Sequence, residues 1–165
     1  MSDYVIRQVK IIDGSGQEAR VGDVGVISGR LHLSDLPDSL PALDGRGLTL
    51  TPGFIDSHAH SDLCIGADPK VAFRGKMTQG VTTEVCGQCG ISLFPVTEAR
   101  VQSVRDCVGA LMSPRNIGRL SAFSSFDGFV AETAGDPKYA NCAFLGAYSA
   151  VGSGFIIQQS GLKPQ

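Results

Sequence analysis

Charge of either sign is scarce in this chain of 165 residues, since charged side chains make up 18% and the formal net charge is −2. That balance excludes a basic nucleic-acid-binding tail and a polybasic membrane patch. The chain also lacks an apolar run long enough to span a bilayer, and it does not begin with a basic region followed by an apolar segment. We therefore expect a cytoplasmic protein whose partner is a small molecule, not a nucleic acid or a membrane.

Cysteine is infrequent as well, and its spacing excludes the dense disulfide framework of a small secreted domain. The odd number of five cysteines fits thiols in a reducing compartment, at Cys64, Cys86, Cys89, Cys107 and Cys142.

The order of predicted elements indicates an α/β protein. Short antiparallel strands are predicted over 4–12 and 21–27, followed by a loop over 34–41 and an extended path from 48 into the segment Pro52–Asp62. Later elements alternate in type: a helix over 68–80, a strand over 81–86, helices over 97–111 and 126–134, and a strand over 141–148. In the first long helix, an apolar stripe recurs at Val101, Val104, Val108 and Leu111. This alternation is typical of a parallel sheet covered by helices.

Two histidines, His58 and His60, lie two residues apart in the strand-like segment Pro52–Asp62. Because side chains alternate along a strand, both imidazoles point to the same side. Imidazole is a common ligand of catalytic metal ions, so this pair supplies half of a metal site whose other ligands come from elsewhere. The alternative is a surface or structural histidine pair.

Cys89 follows the predicted strand over 81–86, at the edge of the sheet where parallel α/β proteins place their chemistry. A thiolate binds zinc strongly, so Cys89 is the candidate third ligand beside the two imidazoles. The alternative is a redox or zinc-knuckle pair formed by Cys86 and Cys89, although a redox dithiol normally opens a helix. The other three cysteines are predicted to be small core residues.

Two carboxylates flank the histidines. Asp62 lies two residues after His60, so in an extended chain its side chain points to the same side as the two imidazoles. It is a candidate to orient a ligand or bind substrate, and the alternative is a solvated loop carboxylate. Asp56 is a candidate acceptor of a hydrogen bond behind the ligands, and the alternative is that it merely ends a strand.

Two longer motifs carry a resemblance to a known family. The sequence TPGFIDSHAH over 51–60 and the sequence QGVTTEVCGQCGIS over 79–92 resemble the amidohydrolase superfamily, and specifically its D-aminoacylase (N-acyl-D-amino-acid deacylase) branch. The first motif occurs in many amidohydrolases, whereas the second is more specific to this branch. The stretch SFDGF over 125–129 is also similar to that branch.

The resemblance implies a fold and an activity. Residues 1–51 would form part of a composite β-sandwich, and 52–165 the first part of a (β/α)8 barrel that hydrolyses the amide of N-acyl-D-amino acids. It implies that His58 and His60 bind one zinc ion, while Cys89 bridges or binds the tighter one. Two further histidines and a catalytic aspartate are implied on later barrel strands, the aspartate taking the proton of the attacking water.

The chain is short for such a barrel, which needs about 250 residues, and His60 is its last histidine. We therefore expect the barrel to be incomplete and the catalytic aspartate to lie beyond Gln165. The isolated chain is expected to be inactive and poorly stable, and to self-associate through an exposed sheet edge. The alternative functions are a non-catalytic zinc-binding remnant and an interaction module completed by a partner.

Overall fold

The computed structural model describes residues 2–68, 73–136 and 140–146, and the chain divides into two compact units, Met1–Pro52 and Gly53–Gln165. The first unit is a five-stranded sheet. Its strands are β1 (Tyr4–Ile11), β2 (Arg20–Ile27), β3 (Arg30–His32), β4 (Ala42–Asp44) and β5 (Thr49–Leu50). β1 to β3 pair antiparallel, as predicted for the first two, while β4 and β5 pair parallel to β1. Val9, Ile11 and Val24 form its buried core.

The second unit has a parallel three-stranded sheet in the order β6-β7-β8. These strands are β6 (Phe54–Asp56), β7 (Val81–Cys86) and β8 (Asn141–Phe144). β7 is the central strand, so its carboxyl end lies between the carboxyl ends of β6 and β8. The predicted site residues lie at this edge of the sheet. The α/β class expected from the sequence is confirmed.

Four α-helices and four 3₁₀ turns connect and cover this sheet among the described residues. The helices are α1 (Arg74–Met77), α2 (Val101–Val108), α3 (Pro114–Gly118) and α4 (Phe126–Thr133). The turns are Ser61–Cys64, Glu98–Arg100, Gly109–Leu111 and Leu120–Ala122. No helix in the described ranges combines the length and the apolarity needed to cross a bilayer.

Aromatic rings dominate the core of the second unit. Phe129 of α4 lies 5.0 Å from Phe94, 5.1 Å from Phe123 and 5.2 Å from Phe144 of β8, measured between ring centroids. Aliphatic side chains complete the cluster: Leu63, Ile65, Leu93, Val96, Val104, Val108, Met112 and Leu120. Burial of these apolar surfaces is what holds the helices against the sheet.

Several element boundaries differ from the sequence prediction. The first helix is observed only at Arg74–Met77, and the start predicted at 68 runs into residues 69–72, outside the described part. The predicted apolar stripe is wrong in including Leu111, which is 61% exposed. Helix α2 ends at Val108, and the 3₁₀ turn that follows has about three residues per turn, so Leu111 no longer lies on the apolar face of the helix. β8 ends at Phe144, and the predicted strand residues 147–148 lie outside the described residues.

Helix α3 was not predicted, although its signal is present in the sequence. Ser113 accepts a hydrogen bond from the backbone N–H of Asn116, and Pro114 occupies the first turn. A serine cap followed by proline is a common helix start, but a five-residue helix is too short to show a periodic pattern.

Candidate metal centre

The three predicted metal ligands lie together beyond the ends of β6 and β7. His58 Nε2 is 3.0 Å from Cys89 Sγ, and the rings of His58 and His60 meet edge to face with centroids 5.6 Å apart. One donor atom from each of the three residues lies within 4.8 Å of the other two. The histidines lie beyond β6, because the strand predicted over 52–62 ends at Asp56, and the hydrogen bond from the Ala59 N–H to the carbonyl of Val85 at 3.0 Å holds their segment beside β7.

Cys89 reaches the histidines because the loop after β7 follows a left-handed path. Cys89 has a φ of +55°, between Gly87 at +81° and Gly90 at +73°. Glycine is required at 87, because a Cβ there would lie 2.1 Å from the backbone oxygen of Leu145. Gln88 then fastens this loop to the histidine segment, its Nε2 donating to the carbonyl of Ser57 at 2.9 Å. Gln88 was not among the predicted site residues, because the motif around Cys89 is its only signal in the sequence.

Asp56 holds the backbone that carries His58. Its Oδ1 accepts a hydrogen bond from the His58 N–H at 3.1 Å, and its Oδ2 lies 2.9 Å from Nζ of Lys76. The hydrogen bond from Lys76, helped by that from the His58 backbone, lowers the pKa of this carboxyl. Asp56 therefore positions the histidine segment and carries a negative charge close to it.

Lys76 of α1 also contacts the buried carboxylate of Glu84, with its Nζ 2.9 Å from Oε1. Glu84 stands beside Asp56 in the register of β6 and β7. Burial acts to lower the pKa of Lys76, but hydrogen bonds to Glu84 and Asp56 outweigh it and leave the pKa raised. Both Lys76 and Glu84 were missed in the sequence, where a lysine in a short helix and a glutamate in a strand look like surface residues.

Asp62 is fully buried at the start of the 3₁₀ turn Ser61–Cys64, so the alternative of a solvated loop carboxylate is wrong. Burial raises its pKa to about 6, and the nearby Glu84 adds to the rise. The backbone N–H groups of Asp62 and Leu63 act in the opposite direction without reversing it. Neither carboxylate oxygen makes a well-formed hydrogen bond to any group that the structure describes.

Replacing Asp62 by asparagine is expected to remove one pH dependence of stability. An aspartate titrates near 3.9 in unfolded chains and at about 6 here, so between these values the folded chain binds the extra proton. Unfolding free energy should therefore fall as pH rises from about 4 to about 6, by about 2 kcal/mol in total. Asp62→Asn should abolish that fall and be the more stable protein at pH 7.

Urea unfolding with a chelator present, at several pH values, measures this effect. The control is Asp106→Asn, which changes an exposed aspartate of α2 and should retain the wild-type pH profile. Equal pH profiles for Asp62→Asn and the wild type would show that burial does not raise the pKa of Asp62.

The remaining thiols have different surroundings. Cys86 is fully buried and Cys89 is exposed, and no disulfide joins any of the five cysteines, all of which lie in the described ranges. Cys107 is exposed, so its prediction as a core residue is wrong, while Cys64 and Cys142 are half-buried. The thiol of Cys86 hydrogen-bonds with that of Cys142, on β8, rather than with Cys89. This arrangement gives no support to a redox pair of Cys86 and Cys89.

The donors fit a zinc ion. Two imidazoles and one thiolate form a nitrogen and sulfur set that zinc prefers. Nδ1 of His60 is buried and finds no hydrogen-bond partner among the described residues, which is unusual for an imidazole nitrogen. His58 and Cys89 are exposed, so an ion held here stays accessible to a small molecule.

Known proteins resemble this chain in both sequence and structure. No protein-family model matches it. The N-acyl-D-aspartate deacylase of Alcaligenes xylosoxydans xylosoxydans is 39% identical over 135 residues, which are 80% of this chain and 26% of the relative. The chain therefore spans about a quarter of that curated relative.

Two solved structures match with similar coverage. One is the N-acyl-D-glutamate deacylase from Bordetella bronchiseptica, complexed with zinc and a phosphonate that mimics the tetrahedral intermediate. Its TM-score is 0.65 at 28% identity, covering 91% of this chain and 30% of that one. The other is a D-aminoacylase that defines a subset of amidohydrolases, with a TM-score of 0.63 at 31% identity, covering 92% and 31%.

The α/β fold and these likenesses place the protein among the amidohydrolases. More narrowly, the chain belongs to the D-aminoacylase branch of that superfamily, and its sheets resemble the N-terminal part of those enzymes. The family resemblance seen in the two sequence motifs is thus confirmed.

Proposed function

We propose that this chain supplies the first part of the active site of a metal-dependent hydrolase that deacylates N-acyl-D-amino acids. The observation that carries the proposal is the convergence of His58, His60 and Cys89, whose donor atoms lie within 4.8 Å of one another. The relatives support the reaction, because they are named as deacylases of N-acyl-D-aspartate and N-acyl-D-glutamate.

His58, His60 and Cys89 would hold the metal ion, which we propose is zinc. A bound zinc ion supplies a nucleophilic hydroxide at neutral pH and polarises the amide carbonyl. Asp56 fixes the backbone of His58 through the 3.1 Å hydrogen bond to its N–H. Gln88 fixes the Cys89 loop against the same segment through its 2.9 Å bond to the Ser57 carbonyl. The two ligand segments are thereby held in one arrangement before any substrate binds.

The acid/base group is proposed to come from a later strand of the complete enzyme. Among the described residues, no aspartate joins the His58–His60–Cys89 cluster. Asp56 is already bound through both oxygens, and Asp62 is buried away from solvent. The isolated chain is therefore expected to bind metal without turning over substrate.

The same reasoning supports the complete architecture, in which 1–51 belongs to a composite β-sandwich and 52–165 to a (β/α)8 barrel. The first unit exposes Leu31 and Leu33 beside an apolar groove, which further strands would cover. In the second unit, Phe54 and Ile55 of edge strand β6 are 57% and 68% exposed. Exposed apolar edges of this kind favour pairing with further strands, or self-association when those strands are missing.

Zinc binding tests the metal centre directly. Equilibrium dialysis should detect zinc on the wild-type chain. Both His58→Ala and Cys89→Ala should weaken binding at this centre by about a hundredfold or more. Loss of a residue that only hydrogen-bonds to a ligand already costs about 10- to 100-fold in affinity, so loss of a ligand should cost at least as much. His32→Ala is a matched control, since His32 lies on β3 of the first unit. Zinc binding that is unchanged in both ligand variants would exclude this centre.

A chimera tests the reaction. We would replace the matching N-terminal portion of the N-acyl-D-aspartate deacylase with this chain, and measure release of free amino acid from N-acetyl-D- and N-acetyl-L-amino acids. The zinc-loaded chimera should hydrolyse the D-substrates, while the isolated chain and the Cys89→Ala chimera should not. A folded, zinc-loaded chimera without activity would favour a non-catalytic zinc-binding chain instead.

A further inference from the structure

A second group of side chains of the types that bind metal ions lies on one face of the parallel sheet. Glu84 and Cys86 are two residues apart on β7 and point to the same side, and Cys142 stands opposite Glu84 in the register of β8. One carboxylate oxygen and the two sulfur atoms lie within 4.8 Å of one another. Glu84 and Cys86 are fully buried, and Cys142 is half-buried.

We propose that Glu84, Cys86 and Cys142 form a second metal site, which takes a thiophilic divalent cation of the zinc type. Two thiolates and a carboxylate make a ligand set that zinc binds in proteins, and the cluster shares no residue with the His58–His60–Cys89 centre. On binding, the two thiol protons pass to solvent and two metal–sulfur bonds form, with no change of oxidation state.

The charges around the cluster favour a cation. Asp62 is fully buried, its two oxygens lack a hydrogen-bond partner in the described part of the chain, and it acts electrostatically on both Cys86 and Glu84. Lys76 is the cation placed against this group, and it contacts Oε1 of Glu84. Oε2 of Glu84 is also buried and has no hydrogen-bond partner in the described ranges. Among the described residues, two carboxyls and two thiols therefore lie around one lysine, and the buried Oε2 of Glu84 remains available to bind a divalent ion.

The pKa of Cys86 is raised mainly by its hydrogen bond with Cys142 and secondly by burial. A metal ion must therefore displace the proton of Cys86 when it binds. Cys142 also lines a groove between β8 and α4, together with Asn141, Phe126 and Val130, which gives an ion a route from solvent.

Cobalt titration tests the site in a chain that lacks the first centre. The His58→Ala/Cys89→Ala double variant, kept reduced with a phosphine, should bind one cobalt ion with a near-ultraviolet charge-transfer band from thiolates. Adding Cys142→Ser should weaken that binding by about a hundredfold or more and reduce the band. Adding Cys107→Ser instead, which changes an exposed thiol of α2, should alter neither.

The outcomes separate this proposal from the proposed hydrolase function. Cobalt binding in the wild type that vanishes in the double variant would overturn the second site and leave the first intact. A cobalt affinity and a thiolate band that Cys142→Ser leaves unchanged would also overturn it. Circular dichroism checks the folding of each variant. We choose Cys142→Ser over Cys86→Ser because Cys142 is half-buried and tolerates a serine better than the fully buried Cys86. If a thiol titration of the double variant shows Cys86 and Cys142 reduced and still no cobalt binds, the pair is a core contact only.

Discussion

Replacing Phe129 by alanine is expected to lower the free energy of unfolding by about 4 kcal/mol, the usual loss for a fully buried phenylalanine. Phe129 has no exposed surface, and its ring contacts Phe94, Phe123 and Phe144 at centroid distances of 5.0 to 5.2 Å. The substitution removes the transfer free energy of the ring and leaves a cavity that rigid neighbours close only in part. It therefore weakens the attachment of α4 to the rest of the second unit.

Urea unfolding measures this loss as a lower midpoint with an unchanged slope. Phe126→Ala is the matched control on the same helix, because Phe126 is 48% exposed and should cost about 1 kcal/mol or less. Equal losses for the two variants would show that full burial of the Phe129 ring does not decide its contribution to stability.

Replacing Lys76 by methionine is expected to cost about 2 kcal/mol, because it leaves the buried carboxylate of Glu84 without the charge of its partly exposed partner. The Glu84 side chain is 1% exposed, and Lys76 is the cation that the described structure sets against it. The same substitution releases Asp56, which holds the His58 backbone. Zinc affinity at the first centre should therefore fall together with stability.

Adding Glu84→Gln to Lys76→Met separates charge from packing. If the uncompensated carboxylate causes the loss, the double variant should recover most of the unfolding free energy. Arg46→Met is the control, since its ion pair with Asp44 is exposed to solvent and should contribute little to stability. A double variant no more stable than Lys76→Met would attribute the loss to the lysine stem and its packing on β6 and β7.

The sequence determined the features that depend on local spacing. The spacing of two residues predicted that His58 and His60 lie close together, although strand β6 ends before them. The glycines around Cys89 marked a turn at the end of β7, so the sequence alone predicts the candidate centre. The family followed from two short motifs for the same reason. Strand β7 and helix α4 were also found near their observed bounds, because each has a clear pattern and a stop signal.

Only the tertiary structure decided which distant residues share a site. Lys76 meets Glu84 and Asp56, and Cys142 meets Cys86, through the parallel pairing of strands that lie far apart in the chain. No local period encodes such contacts, because strand register is set by packing across the whole sheet. Burial is decided in the same way. Asp62 lies in a turn, where a polar side chain is usually exposed, but it is fully buried, and Asn116 of helix α3, 54 residues along the chain, packs against its backbone.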